Sequence, residues 1–253
     1  MNTIFFDIET GPLPEQELLQ MLSPFDPAEV KVGNLRDPEK IAAKRAEAEA
    51  DHRRQFIERA ALDALTGRVL AIGLLTDRGD FCVIGQEDEA ALLREFWTAC
   101  RNDKTRLNRM IGFNTHAFDL PFLIRRSFKH RVQIPFGIRR GRYWGEELID
   151  LREEWQLGDR QARGSLDTIA RYLGVGQKNG HGDEFARLWT GDRAKAVEYL
   201  RRDVELTAMI AEVLGFAVGL TARQSPPAKV KNAEPGFGSK EQVCAPESYS
   251  LVN

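Results

Sequence analysis

The sequence is poor in cysteine and has no long apolar run, and each shortage excludes a class of protein. Its three cysteines, Cys82, Cys100 and Cys244, are far apart and odd in number, so they indicate neither a zinc site nor a disulfide framework. No apolar segment approaches the roughly 20 residues that cross a bilayer. The N-terminus has acids inside its apolar run and no basic stretch before it, unlike a signal peptide. We therefore expect a soluble, cytoplasmic protein.

Net charge is also nearly absent, at −2 over 253 residues. A balance this close to zero indicates neither a strongly basic nor a strongly acidic protein. It does not exclude a nucleic-acid ligand, because a neutral chain can carry local charged patches. The length suits one large domain or two small ones, with a substantial core.

The order of periodic segments predicts an α/β domain. Apolar stretches typical of strands begin with "NTIFFDIE" and continue at 67–77, 80–86, 109–114 and 146–151. The turn-like "DRG" between the second and third predicts a hairpin. Helical periodicity marks "EDEAALLREFWTAC", "AFDLPFLIRRSFKH", 165–174 and 193–217. Strands that alternate with helices favour a mixed five-stranded sheet flanked by helices.

Two segments lie outside this scheme. Residues 12–66 lie between the first two predicted strands and carry a helical pattern. This pattern begins with Asp37 as the N-cap candidate and Pro38 at the first helical position. This helical insertion is either a solvated helix at the domain edge or a helix over a substrate channel. Residues 221–253 are rich in Pro, Gly, Ser and charge, which predicts a flexible tail. We thus expect one domain over 1–220, with the insertion inside it.

The first predicted strand, "FFDIETG", contains two acids that should repel each other. Side chains alternate along a strand, so Asp7 and Glu9 lie on one face and Phe6 and Ile8 on the other. At about 4 Å and an effective dielectric of about 20, the repulsion is roughly 4 kcal/mol. A divalent cation is the simplest source of compensation.

Other acids could complete such a site. Asp119 follows a strand and begins a helical pattern, which places it at the edge of the sheet. Tyr199 and Asp203 are four residues apart on a predicted helix and therefore share one face. Each has an ordinary alternative taken singly: a helix cap for Asp119, core packing for Tyr199 and a solvated charge for Asp203. Their joint occurrence with Asp7 and Glu9 favours the catalytic interpretation.

Three motifs carry a family resemblance. In order, "FFDIET", "GFNTHAFDLPFL" and "YLRRD" resemble the exonuclease motifs of the DEDD superfamily of 3′–5′ exonucleases. They are most similar to the proofreading exonuclease domain of family B DNA polymerases. The tyrosine four residues before the last aspartate resembles the DEDDy subclass. The resemblance spans about 1–10 and 67–217 and implies a ribonuclease-H-like fold.

The resemblance also implies roles for individual residues. Asp7, Glu9, Asp119 and Asp203 would bind two divalent cations, Mg²⁺ or Mn²⁺, and Tyr199 would orient the attacking water. Contacts to the terminal nucleotide would come from Thr10, Asn114 and Phe118. Asp150 and Asp167 match landmarks of the family that are not catalytic. We expect Asp167, beside Ser165, to cap a helix or to place a charge in its first turn, and Asp150 to stay outside the metal coordination sphere.

Residues 125–142 form a basic segment without acids. Because it follows the predicted helix of Asp119, Arg125 and Arg126 are candidates for phosphate contacts. Phe128 and Phe136 could stack on bases. The alternatives are a solvated basic face and, for at least one phenylalanine, core packing.

We therefore expect a stand-alone metal-dependent 3′–5′ exonuclease that trims single-stranded ends, DNA being favoured over RNA, and releases nucleoside monophosphates. The length leaves no room for a polymerase domain, so a proofreading or repair role would require a partner. One alternative is an inactive ribonuclease-H-like module that binds nucleic acid, although the complete acidic quartet argues against it. The other is an endonuclease on the same fold, which the tyrosine motif disfavours.

Overall fold

The fold is built around a mixed sheet of five strands in the order β3-β2-β1-β4-β5. The computed structural model describes residues 2–102, 106–135, 138, 144–159, 161–180 and 182–217. Strand β1 pairs with β4 in parallel, β4 pairs with β5 in parallel, and β2 pairs with β3 in antiparallel. The strands span, in chain order, Thr3–Pro12, Gly67–Thr76, Phe81–Ile84, Arg109–Gly112 and Leu148–Asp150.

Eight α-helices and two short 3-10 helices occur in the described residues. The α-helices, α1 to α8 in chain order, span Glu15–Met21, Pro38–Ala60, Glu89–Ala99, Asp119–Lys129, Leu151–Gln156, Leu166–Tyr172, Phe185–Gly191 and Arg193–Val213. The 3-10 helices span Pro27–Glu29 and Gly182–Glu184. Within the described ranges no helix is both long enough and apolar enough to cross a membrane.

The chain divides into two compact units. The larger comprises the described residues up to Glu9 and from Leu70 onward, and the smaller is Thr10–Val69. In the smaller unit, helix α2 begins as its sequence predicts: the Asp37 carboxylate accepts the N–H of Glu39 at 3.0 Å, and Pro38 takes the first helical position. Arg53 of α2 forms an ion pair with Glu15 of α1 at 2.7 Å.

Strand β1 divides its side chains between the two faces of the sheet. Phe5 belongs to a core cluster with Leu200 and Val204 of α8. Phe6, one residue on, contacts Phe96 of α3 with ring centroids 5.7 Å apart. Because side chains alternate along a strand, Asp7 and Glu9 share the α8 face with Phe5. This alternation directs both acids toward the helix that carries the last motif.

Helix α8 approaches the sheet closely at a glycine. A Cβ at Gly73 in β2 would lie 2.9 Å from side-chain atoms of Leu200 and of Val204, so a larger residue would push the helix away. The N-terminus of α8 is capped by Asp192, whose carboxylate accepts the N–H of Lys195 at 3.2 Å. After Val213 the chain leaves the helix through Gly215, which adopts a positive φ of 83°.

The predicted α/β class and mixed five-stranded sheet are confirmed, and all five predicted strands occur. The predicted hairpin at 77–80 connects β2 to β3, with Gly79 at a φ of 90°. The predicted helix over 193–217 is shorter and ends at Val213. Phe136 and the predicted tail at 221–253 lie outside the described residues.

Candidate active site

Asp7 and Glu9 lie in β1 beyond Phe5, the last β1 residue in the register with β4. Glu9 is buried and Asp7 is half-buried. One carboxylate oxygen from each of Asp7, Glu9 and Asp203 lies within 4.8 Å of the other two, so acids of β1 and α8 converge on one point. Among the described residues, one other set of three histidine, cysteine or acidic side chains is this close, and it comprises His116, Asp150 and Glu153.

Asp119 reaches the same place from the start of α4. Its Oδ1 accepts the backbone N–H of Ile8, the residue between Asp7 and Glu9, at 3.2 Å. The connection from β4 to α4 must turn tightly to bring it there. At Gly112 a Cβ would collide with the buried side chain of Thr115, and Asn114 takes a positive φ of 64°. A short, sterically constrained loop therefore fixes the fourth acid.

Asp150 holds that loop in position. Its carboxylate accepts the N–H groups of Asn114 at 2.7 Å, His116 at 2.9 Å and Arg152 at 2.9 Å. The last of these contacts caps α5. This carboxylate therefore holds the backbone of the loop, and its place outside the metal coordination sphere stays a prediction.

Tyr199 and Asp203 lie one turn apart on the face of α8 that meets the sheet. Both are buried. Within the described part of the chain, the Tyr199 hydroxyl and the Asp203 Oδ1 are buried without a hydrogen-bond partner. Buried polar atoms are normally paired, and an unpaired one at a cluster of acids indicates a place for an ion, a water or a substrate.

Lys178, which the sequence did not single out, supplies a positive charge. Its Nζ lies 2.5 Å from Asp203 Oδ2 and 5.1 Å from the centre of the Tyr199 ring. The residue is placed by Asp167, whose carboxylate accepts the Lys178 N–H at 2.8 Å and thereby holds the pKa of Asp167 below its usual value. Asp167 therefore does more than occupy the first turn of α6. Lys178 follows a helix in a glycine-rich segment without periodicity, and so only the need to balance buried acids could have pointed to it.

The four carboxyls of the cluster have raised pKa values. Burial, reinforced by the charge of Asp119, raises the pKa of Asp7 well above its usual range, and burial with the charge of Asp203 does the same for Glu9. Burial raises the pKa of Asp119 to about 7. For Asp203, burial again raises the pKa, although Lys178 opposes the shift. The cluster thus has a strong electrostatic demand for cations.

Tyr199 of α8 and the neighbouring Lys178 also have raised pKa values, and both stay protonated at neutral pH. Burial and the charge of Asp203 raise the pKa of Tyr199, which keeps the phenol neutral. Burial alone would lower the pKa of Lys178, but the Asp203 carboxylate outweighs it and holds that pKa above the ordinary value. Tyr199 can therefore donate or accept a hydrogen bond, but a free phenolate is not available.

The acids line a cavity of about 670 Å³, a size typical of small-molecule and nucleotide sites. The acidic quartet, Tyr199 and Lys178 form one part of its wall. Of the predicted substrate contacts, Asn114 and Phe118 also line it. Two further lining residues were not anticipated from the sequence: Arg152, whose Nη1 donates to Asn114 Oδ1 at 2.7 Å, and exposed Arg163.

The other predicted substrate contacts have different surroundings. The hydroxyl of Thr10, in the smaller unit, donates to the carbonyl of Ala61 at 2.7 Å. Arg125 and Phe128 are exposed on α4. The remaining part of the basic segment lies largely outside the described residues.

Arg126 corrects an expectation. It was a candidate phosphate contact, but it is buried in an ion pair between α4 and α3. Its Nε and Nη2 donate to the two carboxylate oxygens of Glu89 at 2.9 and 2.6 Å. Helical periodicity explains the difference, because Arg126 shares a face with buried Phe122 and Leu123 whereas Arg125 points outward. A buried, bidentate guanidinium is not available to bind nucleic acid.

This fold and cluster define a class: an α/β domain with DEDD-type acids at the edge of its sheet. A family model described as predicted 3′–5′ exonucleases related to the exonuclease domain of PolB matches residues 62–211. The chain belongs to this family. The matched residues include Asp119, Tyr199 and Asp203 but begin after Asp7 and Glu9. The first two acids are related to the matched region by their position beside Asp203 in the structure.

Solved structures agree on the fold. The family B DNA polymerase from the archaeon Pyrobaculum calidifontis superposes with a TM-score of 0.55 at 18% sequence identity. The match covers 85% of this chain but only 24% of the polymerase, so the chain spans about a quarter of that protein's length. No curated protein matches the sequence. The predicted ribonuclease-H-like fold and the resemblance to DEDD exonucleases are confirmed.

Proposed function

We propose that the protein is a stand-alone, metal-dependent 3′–5′ exonuclease of the DEDDy type that removes nucleoside monophosphates from single-stranded ends. The observation that carries this proposal is the convergence of Asp7, Glu9, Asp119 and Asp203 with Tyr199 on one cavity. These residues come from one strand, β1, and two helices, α4 and α8, that are far apart in sequence. Core packing does not require four acids, three of them buried, at one point, whereas phosphodiester hydrolysis makes use of them.

The donor set fits hard divalent cations. Carboxylate oxygens are preferred by Mg²⁺ and Mn²⁺, and the unpartnered Oδ1 of Asp203 beside Asp7 and Glu9 offers a free ligand atom. Asp7, Glu9 and Asp203 would hold one ion, and Asp7 with Asp119 would hold a second. When bound, two such ions supply an acidified water and stabilise charge on the entering and leaving oxygens.

Tyr199 has the properties of a group that positions water. Its hydroxyl is buried at the cavity wall without a partner in the described residues, and its pKa is raised. A neutral phenol can hold a water in line with a phosphorus atom through one hydrogen bond, but it cannot serve as a general base. Lys178 would hold Asp203 in place and keep part of the negative charge balanced between rounds of hydrolysis.

The rest of the cavity suits a nucleotide at a 3′ end. Phe118 offers a ring for a base or sugar, and the Asn114–Arg152 pair offers hydrogen-bond donors. Exposed Arg163 at the wall, and Arg125 on α4, suit phosphate oxygens. Thr10 stays a proposed contact because it belongs to the first exonuclease motif, "FFDIET". The relation to DNA polymerase domains favours DNA over RNA and a role beside a polymerase or repair partner.

Oligonucleotides labelled at either end test the proposal. With Mg²⁺ or Mn²⁺, a 5′-labelled single strand should shorten as a ladder, and a 3′-labelled strand should release labelled mononucleotide at once. Asp7→Asn should abolish both results. Asp37→Asn is a matched control, since it removes an exposed carboxylate while an asparagine still caps α2.

Other outcomes separate the alternatives. Internal cuts would indicate an endonuclease. Metal-independent binding without any cleavage would indicate an inactive nucleic-acid-binding module. Matched DNA and RNA strands in the same assay decide the sugar preference, because only RNA offers the 2′-hydroxyl.

A further inference from the structure

Two aromatic side chains meet on the surface between α5 and α6, and an exposed leucine lies two residues after the first of them. Tyr172, at the end of α6, is 78% exposed, and Leu157, just after α5, is 90% exposed. Half-buried Trp155 meets Tyr172 edge to face, with ring centroids 5.5 Å apart. We call Trp155, Leu157 and Tyr172 the apolar ledge. Scattered exposed apolar residues are ordinary, but adjacent exposed ones point to a binding surface.

The backbone of the ledge is held in an unfavourable conformation. Leu157 adopts φ 49° and ψ 33°, the left-handed region that a leucine enters at a cost of roughly 1–2 kcal/mol. Glycine or asparagine usually ends a helix in this way. The turn is nonetheless closed, since the Asp159 N–H donates to the Gln156 carbonyl at 2.8 Å. An exposed side chain at a strained position is an indication of function.

The ledge adjoins the catalytic cavity. Arg163, Gly164 and Ser165 line the cavity wall, and Gly164 also faces the ledge, because a Cβ there would lie 3.7 Å from Trp155 Nε1. Gly164 thus separates the two surfaces by the width of one backbone. A chain that leaves the cavity over exposed Arg163 would next encounter the rings of Trp155 and Tyr172.

We propose that the apolar ledge binds the nucleotides that precede the 3′ terminus of a single-stranded nucleic acid, by stacking bases on Tyr172 and Trp155. This inference rests on the proposed exonuclease function and extends it beyond the terminal nucleotide. Aromatic stacking suits the purpose, because every base has a ring face and the contact does not depend on sequence. A stable protein interface normally covers about 800 Å² on each partner, far more than three side chains provide.

The first test compares substrate lengths. Steady-state kinetics of Tyr172→Ala should show KM raised about fivefold or more for a decathymidylate, which reaches the ledge, as expected for the loss of one stacked base. KM for a dinucleotide and kcat for both substrates should stay unchanged. Tyr172→Phe keeps the ring and should behave as the wild type. Val213→Ala shortens another exposed apolar side chain, at the end of α8, and is the control.

A binding measurement separates the ledge from the chemistry. In the inactive Asp7→Asn protein, fluorescence anisotropy with a labelled decathymidylate should show Kd raised by a similar factor when Tyr172→Ala is added. If the wild type hydrolysed no oligonucleotide, the exonuclease proposal would fail while this measurement still tested the ledge.

Three results would overturn the inference. One is an unchanged Kd in the Tyr172→Ala protein. Another is an equal loss of affinity in Val213→Ala. The third is light scattering that shows a wild-type dimer which Tyr172→Ala dissociates without any change in Kd, since the ledge would then bind a second copy of the chain.

Discussion

The raised pKa of Asp119 predicts that Asp119→Asn stabilises the metal-free protein. The folded state keeps the proton on this carboxyl up to about pH 7, whereas an unfolded chain releases it near 3.8. Between these values the folded state binds more protons, so its stability must fall as the pH rises from about 4 to about 7. At 1.36 kcal/mol for each pKa unit, the full loss is on the order of 4 kcal/mol. An asparagine does not titrate, so the stability of the Asp119→Asn protein should not fall over this pH range. Its amide oxygen can still accept the N–H of Ile8.

Urea denaturation with EDTA measures the effect. The advantage of Asp119→Asn in free energy of unfolding should grow by about 3 kcal/mol between about pH 5 and about pH 8, since most of the proton release falls in that window. Asp37→Asn should change little at either pH. With Mg²⁺ the advantage should shrink, because the second ion, held by Asp7 and Asp119, stabilises only the protein that retains the Asp119 carboxylate. An advantage that does not depend on pH would refute the electrostatic reasoning.

Three further predictions concern buried polar groups. Tyr199→Phe should slow hydrolysis by about tenfold or more, within the range of a lost catalytic hydrogen bond. Its free energy of unfolding in urea should be unchanged or slightly higher. A wild-type rate would show that the hydroxyl has no part in the mechanism. Lys178→Met should lower the free energy of unfolding by about 2 kcal/mol with EDTA, because Asp203 loses its charged partner. Mg²⁺ should narrow this difference, and an undiminished gap would argue against an ion at Asp203. Glu89→Gln should lower the free energy of unfolding by about 3 kcal/mol, because the buried Arg126 guanidinium loses its counter-ion. A loss below about 0.5 kcal/mol, the contribution of a solvent-exposed ion pair, would contradict the buried ion pair.

Much of the architecture could be predicted because it depends on local periodicity. Alternation along β1 placed Asp7 and Glu9 on one face, and helical spacing placed Tyr199 and Asp203 on one side of α8. The same spacing could have separated Arg125 from Arg126 on α4. Charge alone made both arginines candidates for phosphate, and only the helical register assigns one of them to the core.

Other features depended on contacts between distant segments. The position of Asp119 within hydrogen-bonding distance of Ile8 depends on how a constrained loop turns after Gly112. Lys178 lies in a segment without periodicity, and its role depends on Asp167 and Asp203, at positions 11 and 25 residues away. Neither pattern nor composition predicts such contacts, because they arise from the packing of whole elements.

The sequence by itself determined the α/β class, the strands and the identity of the acids, because backbone geometry sets the period with which side chains change faces. The tertiary structure alone decided which acids meet, which cation balances them and how far their pKa values rise. Those properties depend on burial and on distances of a few ångströms between residues far apart in the chain.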